Sequence, residues 1–168
     1  MKLANPYYEV LSSLVHPSEY LVHPLGSRLQ YARDFRIWQS QVRTGPAAHH
    51  DGAEKLTVIL LSYKRIRNME PHVASLLRTD CVEKIVLSNN NPEYRIRDWV
   101  RIQDERLHLF DQPQRTPPGI RFDLAAREPG PYYLTIDDDV LLAPGQVLGI
   151  FRHLIANRSV PHGFQGEV

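Results

Sequence analysis

The sequence is nearly free of cysteine and has neither a long unbroken apolar run nor a block of like charge, and each lack removes a class of protein. Cys81 is the single cysteine among 168 residues, so no internal disulfide framework can hold the chain. No Cys/His pair has the spacing of a zinc site. A buried structural thiol is the expected role for Cys81. Residues 1–20 mix Pro6, Glu9, His16, Pro17 and Glu19 among the apolar positions, so neither a signal-peptide core nor a membrane span is expected there. The chain is accordingly expected to be soluble and cytoplasmic. Lys and Arg number 20 against 19 Asp and Glu, with a formal net charge of +1. Because they are scattered, no electrostatic footprint for nucleic acid or an anionic membrane is expected. What is present is an ordinary globular composition, 42% hydrophobic and 23% charged, on a chain long enough for one well-buried core.

The first third is broken by Pro6, Pro17 and Pro24 into short extended or turn pieces. One helix is predicted over residues 27–42, where Leu29, Tyr31, Ala32, Phe35, Ile37 and Trp38 fall on one face and Arg28, Arg33, Asp34 and Arg36 on the other. Residues 44–54 are rich in Gly, Ala, His and Asp and predict an exposed loop, with His49 and His50 solvated. The expected organisation is an N-terminal extension over residues 1–54 and a folded unit over residues 55–168.

From Lys55 onward a strand-then-helix rhythm predicts an α/β architecture. The run LTVILL (56–61) is apolar and β-branched, as in a strand buried on both faces, and ends at Ser62-Tyr63-Lys64-Arg65. A helix is predicted over residues 68–78, with Pro71 in its first turn. KIVL (84–87) predicts a second buried strand that stops at Ser88-Asn89-Asn90-Asn91-Pro92. RLHLF (106–110) predicts a third, followed by a loop holding Pro113, Pro117 and Pro118. A short helix over residues 121–127 leads to YYLTI (132–136), a further buried strand that runs into Asp137-Asp138-Asp139. Residues 142–156, with Val147, Ile150, Phe151, Leu154 and Ile155 at helical spacing, return over the sheet.

In an open parallel sheet, ligands bind beyond the carboxyl ends of the strands, and the polar residues of this chain gather at those ends. Three adjacent carboxylates repel one another unless a cation or strong donors offset the repulsion. A hard divalent ion, Mn²⁺ or Mg²⁺, takes oxygen ligands and often uses one or two protein carboxylates plus substrate phosphates, which suits an Asp-x-Asp hook. The plainer alternative is that Asp137–Asp139 cap a turn and the following helix.

Taken in order, LTVILLSYKR (56–65), KIVLSNNNP (84–92), RFDLAAREPGPYYLTIDDDVLL (121–142) and HGFQGEV (162–168) resemble the GT-A glycosyltransferases. The likeness is greatest to the glycosyltransferase domain of the exostosin and exostosin-like proteins, over residues 55–168. Asp-x-Asp alone is a weak signal; the order of a strand ending in Tyr-x-Arg, one ending in Asn-Asn, an Arg-bearing segment and a strand feeding three aspartates is stronger. The resemblance implies a Rossmann-like nucleotide-sugar-binding sheet with flanking helices. Tyr63 and Arg65 would flank the base and diphosphate, Asn89 or Asn90 would bond the base or ribose, and Arg121 would lie near the pyrophosphate. Asp137 and Asp138 would lie by the ribose and donor sugar, and Asp139, with Asp137, would ligate the metal. The donor would be a nucleotide sugar, a UDP-sugar by family analogy, and the acceptor a glycan or other hydroxyl. The family's C-terminal acceptor half is expected to be missing from this chain, which leaves room for a homo-oligomer to complete the site.

Two other readings compete. A haloacid-dehalogenase-type phosphotransferase would use Asp137 and Asp139 as nucleophile and acid, but no Lys follows Asp139. A non-catalytic nucleotide-sugar-binding or interaction module is the alternative from a different class.

Overall fold

A computed structural model describes residues 25–163, with side chains from residue 32 onward; the proline-broken pieces expected before Pro24 and the segment from Phe164 lie outside the described residues. Helix α1 (Leu25–Thr44) is slightly longer than the sequence period predicts. Phe35, Trp38 and Val42 form its buried stripe. Ile37 does not belong to it and is 45% exposed, because one residue's step turns a helix by about 100° and carries Ile37 off the face that Trp38 buries.

Four strands follow, β1 (Leu56–Ser62), β2 (Val82–Asn89), β3 (Leu107–Asp111) and β4 (Tyr133–Asp137). They form one sheet in the order β3-β2-β1-β4, and every pairing is parallel. Parallel neighbours need crossovers. These are supplied by α2 (Met69–Leu76) after a 3-10 turn at Ile66–Asn68, by a second 3-10 turn at Ile96–Asp98, and by α3 (Ile120–Arg127); α4 (Pro144–Ala156) follows β4 and packs back on the sheet. The chain is thus α/β with a four-stranded parallel sheet flanked by helices, consistent with a Rossmann-like fold. Among the described residues, no helix is long and apolar enough to cross a membrane.

The pleat distributes β1 between two cores. Val58 and Leu60 join Met69, Val73 and Leu76 of α2 and Val147, Leu148 and Phe151 of α4. Ile59 and Leu61 face the other way and, with Val86, meet Leu124 of α3. All seven β1 residues are buried, which is what a continuous apolar run requires of a central strand. Each fully buried aliphatic side chain there contributes about 1.5–3 kcal/mol.

YYLTI departs from the buried strand expected. Tyr133, Leu134 and Thr135 are only half-buried, because β4 is an edge strand with β1 as its one neighbour. The helix predicted from Leu142 begins instead at Pro144, which can occupy only a first turn; Gln146 Oε1 accepts the Ala143 N–H at 2.8 Å and closes that end. The turn into β4 needs Gly130, whose φ of 133° suits glycine alone. Loop residue His49 is exposed and bonds Asp80 at 3.1 Å. His50 is not solvated as expected: it is half-buried, 5.3 Å from the Phe151 ring.

Candidate functional site

Strand order reverses between β1 and β4: β2 and β3 lie to one side of β1, and β4 to the other. Their carboxyl ends part there, leaving the crevice in which such sheets bind ligands. Register keeps those ends level, with Leu61 opposite Asp137 and Ser62 opposite Asn89. The crevice opens into a cleft of about 1460 Å³ that extends past β4 to Ile150 and Leu154 of α4; at the strand ends it is bordered by Tyr63, Asn90, Arg115, Arg121 and all three consecutive aspartates.

The three aspartates have different surroundings. Asp138 is 7% exposed and turns back under the chain. Its Oδ2 accepts the backbone N–H groups of Tyr63 at 2.9 Å, Lys64 at 3.1 Å and Arg65 at 2.9 Å. Its own carbonyl accepts Asn68 Nδ2 at 2.8 Å. One carboxylate oxygen thereby satisfies three successive amides of a turn that leaves a buried strand, where each unpaired donor would cost about 1–3 kcal/mol. Asp137 is the most open of the three, and Arg121 donates to its Oδ1 at 2.6 Å. Asp139 is more enclosed, and the Arg65 guanidinium reaches its Oδ2 at 3.3 Å and Asp138 Oδ1 at 3.4 Å. The mutual repulsion is therefore offset by amides at the middle residue and by a guanidinium at each outer one.

Asn89 and Asn90 also divide. Asn89 is fully buried. Its Nδ2 donates to the carbonyls of Asn91 and Tyr94 and to Asp111 Oδ1, and its Oδ1 accepts the Asn91 N–H. It is spent on the turn after β2 and does not border the cleft. Asn90 does border it; Ser88 Oγ donates to its Oδ1 at 2.8 Å, while its Nδ2 makes no hydrogen bond among the described residues. Of the residues singled out in the sequence, Tyr63, Asn90, Arg121 and Asp137–Asp139 share the cleft. Arg65 stands behind it on Asp138 and Asp139, and Asn89 lies apart.

Several contributors carried no sequence signal. Arg115, in the proline-rich loop, places its guanidinium carbon 4.7 Å from the centre of the Tyr63 ring. Behind the acidic turn, α2 and the residues on either side of it present a ladder of polar side chains: Asn68 to the Asp138 carbonyl, Ser75 Oγ to the Leu142 carbonyl at 2.6 Å, and Thr79 Oγ1 to the Pro144 carbonyl at 3.5 Å. On the same helix, His72 is fully buried against Trp38, with ring centres 5.3 Å apart, and its Nε2 has no hydrogen-bond partner among the described residues. Burial pushes its pKa down to about 4, against the opposing pull of the Asp138 charge, so the ring is neutral at pH 7.

Among the described residues, no three His, Cys, Asp or Glu side chains form a group that could hold a metal ion. The donor set on the cleft is Asp137, largely open, and Asp139, mostly enclosed; each already faces a guanidinium. That set fits a cation sharing its coordination with substrate phosphates rather than a closed cage. Comparison with protein-family models and with curated proteins returned no match to this chain.

Proposed function

We propose that the cleft binds a nucleotide sugar and that the chain is the donor-binding part of a metal-dependent GT-A glycosyltransferase, most similar in motif order to the exostosin-like enzymes. The observation that carries this reading is the meeting, in one cleft at the strand-order reversal, of an aromatic ring, an unspent amide, an arginine and the carboxylates of Asp137 and Asp139. Tyr63 supplies a flat face for a base, and Asn90 Nδ2 a donor for a base or ribose oxygen. Arg121 supplies a two-pronged donor suited to the pyrophosphate. Asp137, the most open of the three aspartates, would face the ribose and donor sugar. Asp139 and Asp137 would hold a hard divalent cation, Mn²⁺ or Mg²⁺, whose chemistry there is to offset charge left on the diphosphate as the sugar departs to an acceptor hydroxyl. Asp138 acts by position: by fixing the turn after β1 it sets where Tyr63 stands. A uridine diphosphate sugar is the donor suggested by the motif resemblance.

Calorimetric titration with UDP, with and without Mn²⁺, tests the assignment. Asp139→Ala should lower Mn²⁺-dependent UDP affinity by at least about tenfold, or roughly 1.4 kcal/mol, with the fold intact. Equal affinity in the variant would refute it. The second reading, a non-catalytic binding module, draws on the ion pairs Arg121–Asp137 and Arg65–Asp139, which neutralise both outer carboxylates with no metal. It predicts nucleotide affinity that does not change with Mn²⁺ and no sugar transfer.

A further inference from the structure

Arg121 and Arg65 are each held by carboxylates, whereas Arg115 makes no ion pair and no hydrogen bond among the described residues; its partner is the face of the Tyr63 ring, 4.7 Å from the guanidinium carbon. Both residues border the cleft. The Tyr63 ring is half-buried, and a cation over such a ring is worth about 1 kcal/mol, whereas a guanidinium on phosphate forms two parallel charge-assisted bonds worth about 1.5–3 kcal/mol apiece. Where Arg115 rests is therefore its weaker option once a phosphate is present.

The loop that carries it is tied at its ends, and residues 113–116 between them make no hydrogen bond among the described residues. Gln112 donates from its side chain to Ser88 Oγ at 3.0 Å and from its backbone to the Asn89 carbonyl at 2.9 Å. At the other end the Ile120 N–H reaches the Pro117 carbonyl at 3.1 Å. Between these ties, Thr116 Oγ1 is buried on the cleft wall and makes no hydrogen bond among the described residues.

We propose that Arg115 is an exchanging ligand-binding residue. With the cleft empty it covers the ring on which a planar base would stack. When a nucleoside diphosphate enters, the base takes the ring face and the guanidinium transfers to the diphosphate. The inference rests on the nucleotide-binding reading above and names the part of the ligand that each half of the exchange recognises. It follows that the base and the phosphates depend on Arg115 with opposite sign. The residue disfavours a bare nucleoside and favours a nucleoside diphosphate, so it selects for phosphorylated ligand.

The test is titration of wild type, Arg115→Ala and Arg115→Lys with uridine and with UDP in the presence of Mn²⁺. Proton–nitrogen NMR of the Arg115 Nε–H runs alongside, since ring current from Tyr63 should shift that signal. The expected results are a loss of UDP affinity of about tenfold in Arg115→Ala and a gain in uridine affinity of about twofold to fivefold. Arg115→Lys, which keeps the charge but not the fork, should fall between. UDP should abolish the ring-current shift in wild type, and uridine should reduce it. If wild type binds UDP but the two ligands respond alike to Arg115→Ala, or the shift persists in the UDP complex, the exchange is wrong and the nucleotide site stands. If wild type binds neither ligand, the site itself is wrong and the exchange falls with it.

Discussion

Two loops border the cleft and are held in opposite ways. The turn after β1 is pinned by three backbone amides on one Asp138 oxygen, with Asn68 fastening the Asp138 carbonyl from behind. The loop after β3 is tied at Gln112 and Pro117, and between those points Arg115 rests on a ring. One wall of the site is thus part of the fold, and the other is held by a contact of about 1 kcal/mol. Substitutions on the first should register as stability, and those on the second as binding.

The largest effect should come from the fixed wall. Asp138→Ala removes the common acceptor of three amides and should lower unfolding free energy by about 3–5 kcal/mol in a denaturant titration. A loss under about 1 kcal/mol would mean that the turn is held by something else, and the contrast between the loops would disappear.

His72 lies on the same fixed side and should make it sensitive to acid. The folded protein holds the ring near 4, below its ordinary 6.5, so on acidification the unfolded chain takes up the proton first. Stability should be fully present above about pH 6.5 and should decline towards pH 4, by about 3 kcal/mol in all. His72→Leu, which replaces a ring nitrogen that has no hydrogen-bond partner among the described residues, should flatten that slope with little change at pH 7.5. Parallel pH profiles for the two proteins would exclude His72 as the cause.

Smaller effects belong to the open side. Arg121→Gln breaks a pair whose carboxylate is substantially exposed, so its stability cost should stay under about 1 kcal/mol, while UDP affinity falls by roughly tenfold. Thermal melts beside calorimetry separate the two. Arg115→Ala should change stability by no more than about 1 kcal/mol, the worth of the ring contact it removes. A larger loss would place the loop after β3 with the structural wall.

Much of the fold was legible in the sequence because burial leaves a period. Val58–Leu61 and Ile85–Leu87 are unbroken apolar runs and became the cores of the two central strands; the spacing of Val147 and Phe151 marked the last helix. Legibility ended where neighbours decide. YYLTI is as apolar as a central strand, but strand order put it at an edge. Ile37 and Trp38 are both apolar, and only the angle around α1 separates them. The acidic run pointed to the right end of the sheet, yet nothing in three identical residues marks the middle one as the acceptor for a turn 75 residues earlier. Asn89 and Asn90 likewise look interchangeable until the pleat turns one inward. Arg115 and His72 left no pattern, since a loop residue on a ring and a histidine in a core are set by tertiary contact alone.

Cys81 is the chain's single thiol; it is fully buried in the main core, and burial pushes its pKa up to about 11. A thiol that is both shielded and protonated at neutral pH cannot react with an alkylating reagent until the core parts around it. The speed at which a maleimide modifies this protein would therefore count openings of the folded state rather than collisions with its surface, with no probe needing to be engineered in.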